Sequence, residues 1–282
     1  MSCIQCFEAV YNKGVLMRHC HFSILYNEIA FLKQKLPFLY QHFDQLIFFD
    51  LNILNNTFSN DGSHEFIKEY PDPENKITLI EECDLSKITE FCGNSFGEKR
   101  KMFVLGSKQV KDDIDFFWCT DMDEFFNISL IKAVEENIGA GQTALVPHVV
   151  FWKNEKWIGA KKDKSGNVND GKTIIPWTRI ARHVPGHMYG HCALQSQFQV
   201  KNIESELIYH FAFIGQERMK FKERLYQSSA MIFPFQENDN LGFIPFNKAS
   251  IKKYGNYYHG VIKNKYKIPE YINLPEMLKD LK

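Results

Sequence analysis

No stretch of this 282-residue chain approaches the ~18 consecutive apolar residues that a membrane-spanning helix requires. Residues 1–12 lack the basic start and apolar run of a secretory signal. The formal net charge is zero, which argues against a protein whose main role is to coat nucleic acid. The seven cysteines are odd in number and scattered, so they predict reduced thiols rather than a disulfide framework. We therefore expect a soluble, cytoplasmic protein without a transmembrane segment or a nucleic-acid partner.

What the chain does contain is an alternation of apolar runs of strand length with segments of helical period. Strands are expected at 19–25, 45–49, 77–80, 114–119, 143–152, 173–183 and 193–200. Helices are expected at 28–43, 87–93, 98–111, 128–137 and 214–231. Pro37 should break or kink the first helix. This order predicts an α/β fold, Rossmann-like, with a mostly parallel central sheet flanked by helices.

Two carboxylates, Asp121 and Asp123, directly follow an almost continuously apolar strand. On an extended segment, residues two apart point the same way, so both side chains would converge on one hard cation, Mn²⁺ or Mg²⁺. A cation held in this way bridges the phosphates of a nucleotide and stabilises a departing diphosphate. A solvated turn that caps the following helix is the alternative interpretation.

Two further motifs match a functional pattern but lie in the wrong context. Asp113 and Asp115 repeat the D-x-D spacing at the amino end of the same strand, whereas open sheets bind ligands at carboxyl ends. Residues 166–173 satisfy the pattern G-x-x-x-x-G-K-[ST] of a phosphate loop. A polar stretch precedes them and Pro176 follows, so the buried strand and the helix that a phosphate loop needs are both missing. We interpret this segment as a polar loop.

The sequence FFWCTDMDEFF at residues 116–126 resembles the hydrophobic strand and D-x-D-E-F segment of family-2-like GT-A glycosyltransferases. Asn27-Glu28 is similar to their N-E signature, and residues 60–63 are similar to their D-G-S turn, although they lie later than usual. HFAFIGQERMKFK at 210–222 resembles the family motif H-Y-x-x-R-S-x-E-x-F-x-x-K, with Ile214-Gly215 in place of Arg-Ser. The Phe-, Lys- and Asn-rich composition is also similar to that of glycosyltransferases of large DNA viruses, one of which is a xylosyltransferase.

The resemblance covers residues 18–225 and implies a GT-A catalytic domain, which we place at 1–245. Residues 246–282 would form a C-terminal extension packed on that domain. The implied reaction is the metal-dependent transfer of a sugar from a UDP-sugar, such as UDP-xylose or a UDP-hexose, to a glycan hydroxyl, with inversion. If the protein is viral, the host cytoplasm is the expected location.

The resemblance also implies roles for individual residues. The metal would be bound by Asp121 and Asp123, with His210 as a further ligand. The expected nucleotide-binding residues are Asn27, Glu28, Asp50, Arg100, Lys101 and Asp121. Candidates for the general base are Glu217, His191, His187 and Asp170. The alternatives are a core histidine for His210 and a solvated helix face for Arg100 and Lys101.

Two other classes of protein stay open. The same carboxylates would serve a nucleotidyltransferase or phosphotransferase, which would release pyrophosphate rather than UDP from its substrate. Residues 248–282 hold eight lysines against three acids, a composition that also suits a module binding an anionic partner.

Overall fold

The computed structural model describes residues 17–52, 54–82, 84–88, 99–161, 174–189, 198–203, 205–214, 218, 220–221, 224, 241–245, 269–273 and 277. The helices are α1 (Ile29–His42), α2 (Ser63–Lys68), α3 (Lys99–Ser107) and α4 (Ile128–Asn137). The strands are β1 (His19–Leu25), β2 (Gln45–Asp50), β3 (Ile77–Ile80), β4 (Phe116–Cys119), β5 (Glu124–Phe125), β6 (Gln142–Lys161), β7 (Ile174–Arg182), β8 (Gln199–Asn202), β9 (Ile208–Ile214) and β10 (Leu241–Pro245). Among the described helices, none has the length and apolar character needed to cross a lipid bilayer.

The strands form one sheet in the order β3-β2-β1-β4-β7-β6-β9-β5, with β8 and β10 also paired to β6. β1 is parallel to its neighbours β2 and β4, and β3 is parallel to β2. β7 is antiparallel to both β4 and β6, whereas β9 is parallel to β6. The structure confirms the predicted α/β fold with a mostly parallel sheet flanked by helices.

Side chains of the central strands alternate between two cores, one on each face of the sheet. Phe22, Phe49 and Phe117 belong to the core that contains residues of α3. Phe48 and Trp118 belong to the core that contains α1 and α4. This alternation follows from the period of two in a β-strand, and burial on both faces explains why these strands read as continuous apolar runs.

Helix α1 continues through Pro37, so the expected break is not found. Pro37 is exposed, while Phe31, Leu36 and Leu39 on the other side of the helix are buried. Each buried side chain of this size contributes about 1.5–3 kcal/mol, whereas an internal proline costs about 3 kcal/mol. The packed face of α1 therefore outweighs the hydrogen bond lost at Pro37.

The amino end of α1 is capped by a distant loop rather than by its own side chains. Asp61 Oδ2 accepts a hydrogen bond from the Ile29 amide at 3.0 Å, and Ser63 Oγ accepts one from the Glu28 amide at 2.9 Å. The Asn60 amide donates to Asn27 Oδ1 at 3.0 Å. The two segments that match the N-E and D-G-S motifs thus lie against each other and together position Glu28 at the start of α1.

Two expectations about secondary structure agree with the structure only in part. Residues 85–87 form a single turn of 3₁₀ helix where a helix over 87–93 was expected, and 89–93 lie outside the described ranges. A strand that the sequence analysis did not predict, β9, occupies 208–214. The helix expected over 214–231 therefore begins after 214, and its described residues at 218, 220, 221 and 224 are helical. A short apolar run cannot be assigned to helix or strand by its period alone, and β9 is such a run.

Part of the predicted C-terminal extension packs against α1. Tyr271 stacks on Phe38 with ring centroids 4.3 Å apart, and its hydroxyl donates to the Phe126 carbonyl oxygen at 2.9 Å. Ile272 and Met277 are buried in the same core. The domain boundary at 245/246 stays a prediction.

Candidate functional site

Asp121 and Asp123 lie in a turn at the carboxyl end of β4. The Glu124 amide donates to the Asp121 carbonyl oxygen at 3.0 Å, and Glu124 Oε2 accepts from the Asp121 amide at 3.1 Å. The expectation that the two aspartates lie on an extended segment is therefore wrong, because these bonds turn the chain between them. The Asp121 side chain is 23% exposed, whereas Asp123 is fully buried.

A cleft opens beside this turn, at the carboxyl ends of β1 and β4. Strands are added outward from β1 in one direction and from β4 in the other, and ligands of open α/β sheets bind at such a switch point. The polar lining of the cleft consists of Glu28, Lys99, Asp121, Asp123 and Arg218. Its apolar lining consists of Ile24, Leu25, Tyr26, Leu51 and Phe221. The cleft thus combines charged groups suited to phosphates or a cation with surface suited to a flat ring.

His210 lies next to the aspartates because β5 pairs with β9. The pairing places Glu124 opposite His210, and the Phe211 amide donates to the Asp123 carbonyl oxygen at 2.8 Å. His210 Nε2 is 3.4 Å from Asp123 Oδ1. The structure therefore places His210 beside Asp123, one of the two aspartates that the sequence nominated with it as metal ligands.

Arg179, which the sequence reasoning missed, supplies positive charge next to Glu124 and Asp121. It contacts Glu124 Oε1 at 2.6 Å and lies 3.6 Å from Asp121 Oδ2. Both Arg179 and Glu124 are buried. An arginine inside the largely apolar β7 is the signal that could have revealed it, since charged side chains are almost never fully buried unless paired.

A second arginine, Arg218, was also missed, and it lies in the cleft itself. Its guanidinium contacts Glu28 Oε1 at 2.5 Å and also contacts Asp123 Oδ2. Arg218 follows β9 within the motif segment 210–222, so its proximity to Asp123 depends on the same β5–β9 pairing that places His210. Local spacing along the sequence gives no signal for this contact.

Lys35 of α1 is fully buried beneath the turn. Its ammonium donates to Thr120 Oγ1 at 3.0 Å and to the Asp121 carbonyl oxygen at 2.6 Å. His21 Nε2 lies 2.7 Å from the same Thr120 hydroxyl. Lys35 therefore holds the peptide that connects β4 to the aspartates. The sequence could have indicated that Lys35 is buried and paired, because it lies beside Leu36 on the apolar face of α1.

The charges of the site are nearly balanced. Its carboxylates are those of Glu28, Asp121, Asp123 and Glu124, and its buried cations are Lys35, Arg179 and Arg218. Burial raises the pKa of Glu124, and the Arg179 guanidinium opposes this shift. Burial lowers the pKa of His148 well below its usual value and Arg179 lowers it further, so this imidazole is neutral near pH 7.

Lys35 should make the stability of the protein rise with pH between about 8 and 10.5. Burial lowers the Lys35 pKa from 10.5 to about 8, although Glu124, Asp123 and Asp121 oppose the shift. In this window the unfolded chain carries a proton that the folded chain lacks, so the free energy of unfolding increases by up to about 1.4 kcal/mol per pH unit. Below the folded pKa both states are protonated and this dependence vanishes.

Urea unfolding of the wild type and of Lys35→Met, at several pH values across this window, measures the effect. The free energy of unfolding of the wild type should increase relative to that of the variant as the pH rises. A difference that stays constant across the window would show that Lys35 titrates at its ordinary pKa.

The donor chemistry of Asp121, Asp123 and His210 suits Mn²⁺ or Mg²⁺, but their arrangement does not form a complete site. Across the described ranges, no group of three or more His, Cys, Asp or Glu side chains is arranged to hold a metal ion. Asp123 is engaged by Arg218 instead. The two aspartates would hold a cation only within a ligand set completed by phosphate oxygens and water.

Asp50, expected to contact the nucleobase, forms hydrogen bonds inside the protein. Its carboxylate accepts from Ser59 Oγ at 2.6 Å and lies 3.0 Å from His64 Nδ1, and His64 Nε2 lies 3.1 Å from Glu81. Burial raises the pKa of Asp50, while the bonds from Ser59 and His64 oppose this. In the structure, Asp50 holds the loop that caps α1 through these hydrogen bonds. Its contact with a nucleobase stays a prediction.

The basic residues of α3 are placed differently from the expectation. Lys99, rather than Lys101, lines the cleft. The side chain of Arg100 lies outside the described residues. The two positions proposed for nucleotide binding on this helix therefore stay predictions, and Lys99 joins them as a candidate.

The candidates for the general base are mostly outside the part of the chain that the structure describes. This holds for Glu217, His191 and Asp170, and also for the phosphate-loop pattern at 166–173. His187 is described, and its ring packs edge-on against Tyr189 and Phe198.

The second D-x-D pair lies at the other end of β4 and has structural partners. Asp115 accepts from Arg182 at 2.6 Å and from the Arg18 amide at 2.9 Å, and Asp113 contacts the Arg18 side chain. This agrees with the expectation that Asp113 and Asp115 lie at the amino end of the strand, away from the edge of the sheet where ligands bind.

Comparison with known proteins does not assign the chain to a family. No protein-family model matches the sequence, and no curated protein matches it.

Proposed function

We propose that this protein is a GT-A glycosyltransferase that moves a sugar from a UDP-sugar, such as UDP-xylose or a UDP-hexose, to a glycan hydroxyl. The observation that carries the proposal is the cleft at the sheet's switch point, in which Asp121 and Asp123 lie beside Lys99 and Arg218. Both charged groups and apolar surface are available there to a nucleoside diphosphate. The resemblance of residues 116–126 to the D-x-D-E-F segment supports the same assignment.

The chain's own residues would bind and orient the donor. Asp121 and Asp123 would hold a divalent cation, which, when bound, offsets the charge that develops on the departing diphosphate. Lys99 and Arg218 are the cationic side chains that line the cleft and would contact phosphate oxygens. Tyr26 and Phe221, whose ring centroids are 5.1 Å apart, offer aromatic surface to the base.

We also propose that the reaction depends on a metal ion, that it inverts the anomeric centre, and that the general base is Glu217, His191 or Asp170. The cytoplasm is the proposed location, in keeping with the buried free thiol of Cys20. No nucleic-acid partner is proposed.

A thermal-shift screen of UDP-, GDP- and dTDP-sugars with Mn²⁺ tests the proposal, because a ligand that binds only the native state raises its apparent stability. We expect UDP-sugars to raise the melting temperature and to be turned over with release of UDP. Stabilisation by nucleoside triphosphates, with release of pyrophosphate, would instead favour a nucleotidyltransferase that uses the same carboxylates. No shift with any nucleotide would contradict both assignments.

A further inference from the structure

The Arg218 guanidinium occupies the space where two carboxylates of the cleft face each other. Its terminal nitrogens contact Glu28 Oε1 at 2.5 Å and Asp123 Oδ2. Its central carbon lies 4.8 Å from the centroid of the Phe31 ring. The side chain is only 9% exposed. Two anions and an aromatic face therefore enclose this cation in a defined position.

The charge of Arg218 is permanent. Burial lowers its pKa, but the attraction of Glu28 and Asp123 outweighs burial and raises the pKa above its ordinary value. A second cation that approached Asp123 would meet this charge in a buried setting, where charges are weakly screened.

Arg218 already contacts the Asp123 carboxylate that a divalent cation would use. Asp123 is fully buried, Arg218 contacts its Oδ2, and Oδ1 lies 3.4 Å from His210 Nε2. A divalent ion coordinated through Oδ2 would need the position that the guanidinium fills. An ion coordinated through Oδ1 would still lie close to the Arg218 charge and be repelled by it.

We propose that Arg218 and a divalent cation compete for Asp123, so that the nucleotide-free protein binds such a cation weakly. The inference rests on the proposed function, because it takes Asp121 and Asp123 as the cation's ligands. The donor's diphosphate is a suitable new partner for the displaced guanidinium, since arginine binds phosphate through two parallel hydrogen bonds. Cation and donor would then bind cooperatively, each favouring the state in which Arg218 has left Asp123.

Mn²⁺ binding by the nucleotide-free full chain tests the competition, with the electron paramagnetic resonance signal of free Mn²⁺ as the readout. Arg218→Met removes the charge and should bind Mn²⁺ about tenfold or more tightly than the wild type. Arg218→Lys keeps the charge and should stay near the wild type. Adding Asp123→Asn to Arg218→Met should abolish the gain. Mn²⁺ affinity in Arg218→Met that equals or falls below that of the wild type overturns the proposal.

A measurement on the wild type covers the case in which Arg218→Met does not fold. In protein labelled with ¹⁵N-arginine, the guanidinium signal that disappears in Arg218→Lys belongs to Arg218. Titration with Mg²⁺ should shift this signal and increase the rotation rate of the guanidinium as its carboxylate contact is lost. A signal that stays unchanged when Mg²⁺ has saturated the protein overturns the competition.

The outcomes separate this inference from the proposed function. Normal Mn²⁺-dependent turnover of a UDP-sugar, together with unchanged Mn²⁺ affinity in Arg218→Met, would remove only the competition. Absence of donor turnover in every variant would remove the transferase assignment, while the Mn²⁺ titration would still decide whether Arg218 excludes the cation.

Discussion

Replacing Asp123 with asparagine should reduce Mn²⁺-dependent turnover of a UDP-sugar about a thousandfold, because the change removes one of the two carboxylates proposed to bind the cation. Asparagine keeps the shape of the side chain, and Arg218 keeps its contact with Glu28, so the fold should be retained. Release of UDP measures the effect, and circular dichroism checks the fold.

Asp113→Asn is the matched control for this variant. Asp113 belongs to the other D-x-D pair, is 60% exposed and contacts Arg18 at the amino end of β4, away from the cleft. Turnover in this variant should equal that of the wild type. If Asp123→Asn retains as much turnover as Asp113→Asn, the carboxylates after β4 are not the catalytic centre.

Replacing Arg179 with methionine should lower the free energy of unfolding by about 3–5 kcal/mol, the loss expected when one partner of a buried ion pair is removed. Glu124 would lose its 2.6 Å contact and remain buried close to Asp121 and Asp123. Urea unfolding followed by circular dichroism measures the loss. Adding Glu124→Gln should recover part of it, because the unpaired charge is then removed as well.

Arg182→Met provides a control from the same strand. Arg182 pairs with Asp115, but the two side chains are 20% and 24% exposed, so water screens them better than it screens Arg179 and Glu124. We expect a loss of about 1 kcal/mol or less. Equal losses of unfolding free energy in the two variants would mean that the buried Arg179–Glu124 pair contributes no more to stability than the more exposed Arg182–Asp115 pair.

The part of the fold formed by β1 to β4 was predictable because each strand is a compact apolar run followed by a polar turn. α4 was equally clear, since its apolar residues recur at helical spacing over 128–137. β9 was not, because a run of six apolar residues interrupted only by His210 suits either a strand or a buried helix. The sequence left an extended segment and a turn open at Asp121, because the hydrogen bond from the Asp121 amide to the Glu124 side chain that favours the turn cannot be read from residue spacing.

The acids of the site could be nominated from the sequence, but the pairing of each acid with a particular counter-charge could not. Asp121 and Asp123 stand out because they follow a buried strand directly. Arg179 and Arg218 reach them from β7 and from the segment after β9, and no spacing rule links residues so far apart. Physical chemistry predicts only that buried acids need cationic partners, not which arginine or lysine supplies them.

The order in which these charges leave the ribosome has a consequence for folding. Glu28 and Asp123 are synthesised early, whereas Arg218 comes 95 residues after Asp123. A nascent chain that ends before Arg218 holds the two acids without the cation that joins them, and their mutual repulsion disfavours docking of the turn after β4 against the start of α1. The cleft is therefore expected to acquire its final form only when Arg218, in the C-terminal third of the chain, has emerged, and an N-terminal fragment that ends before Arg218 should lack it.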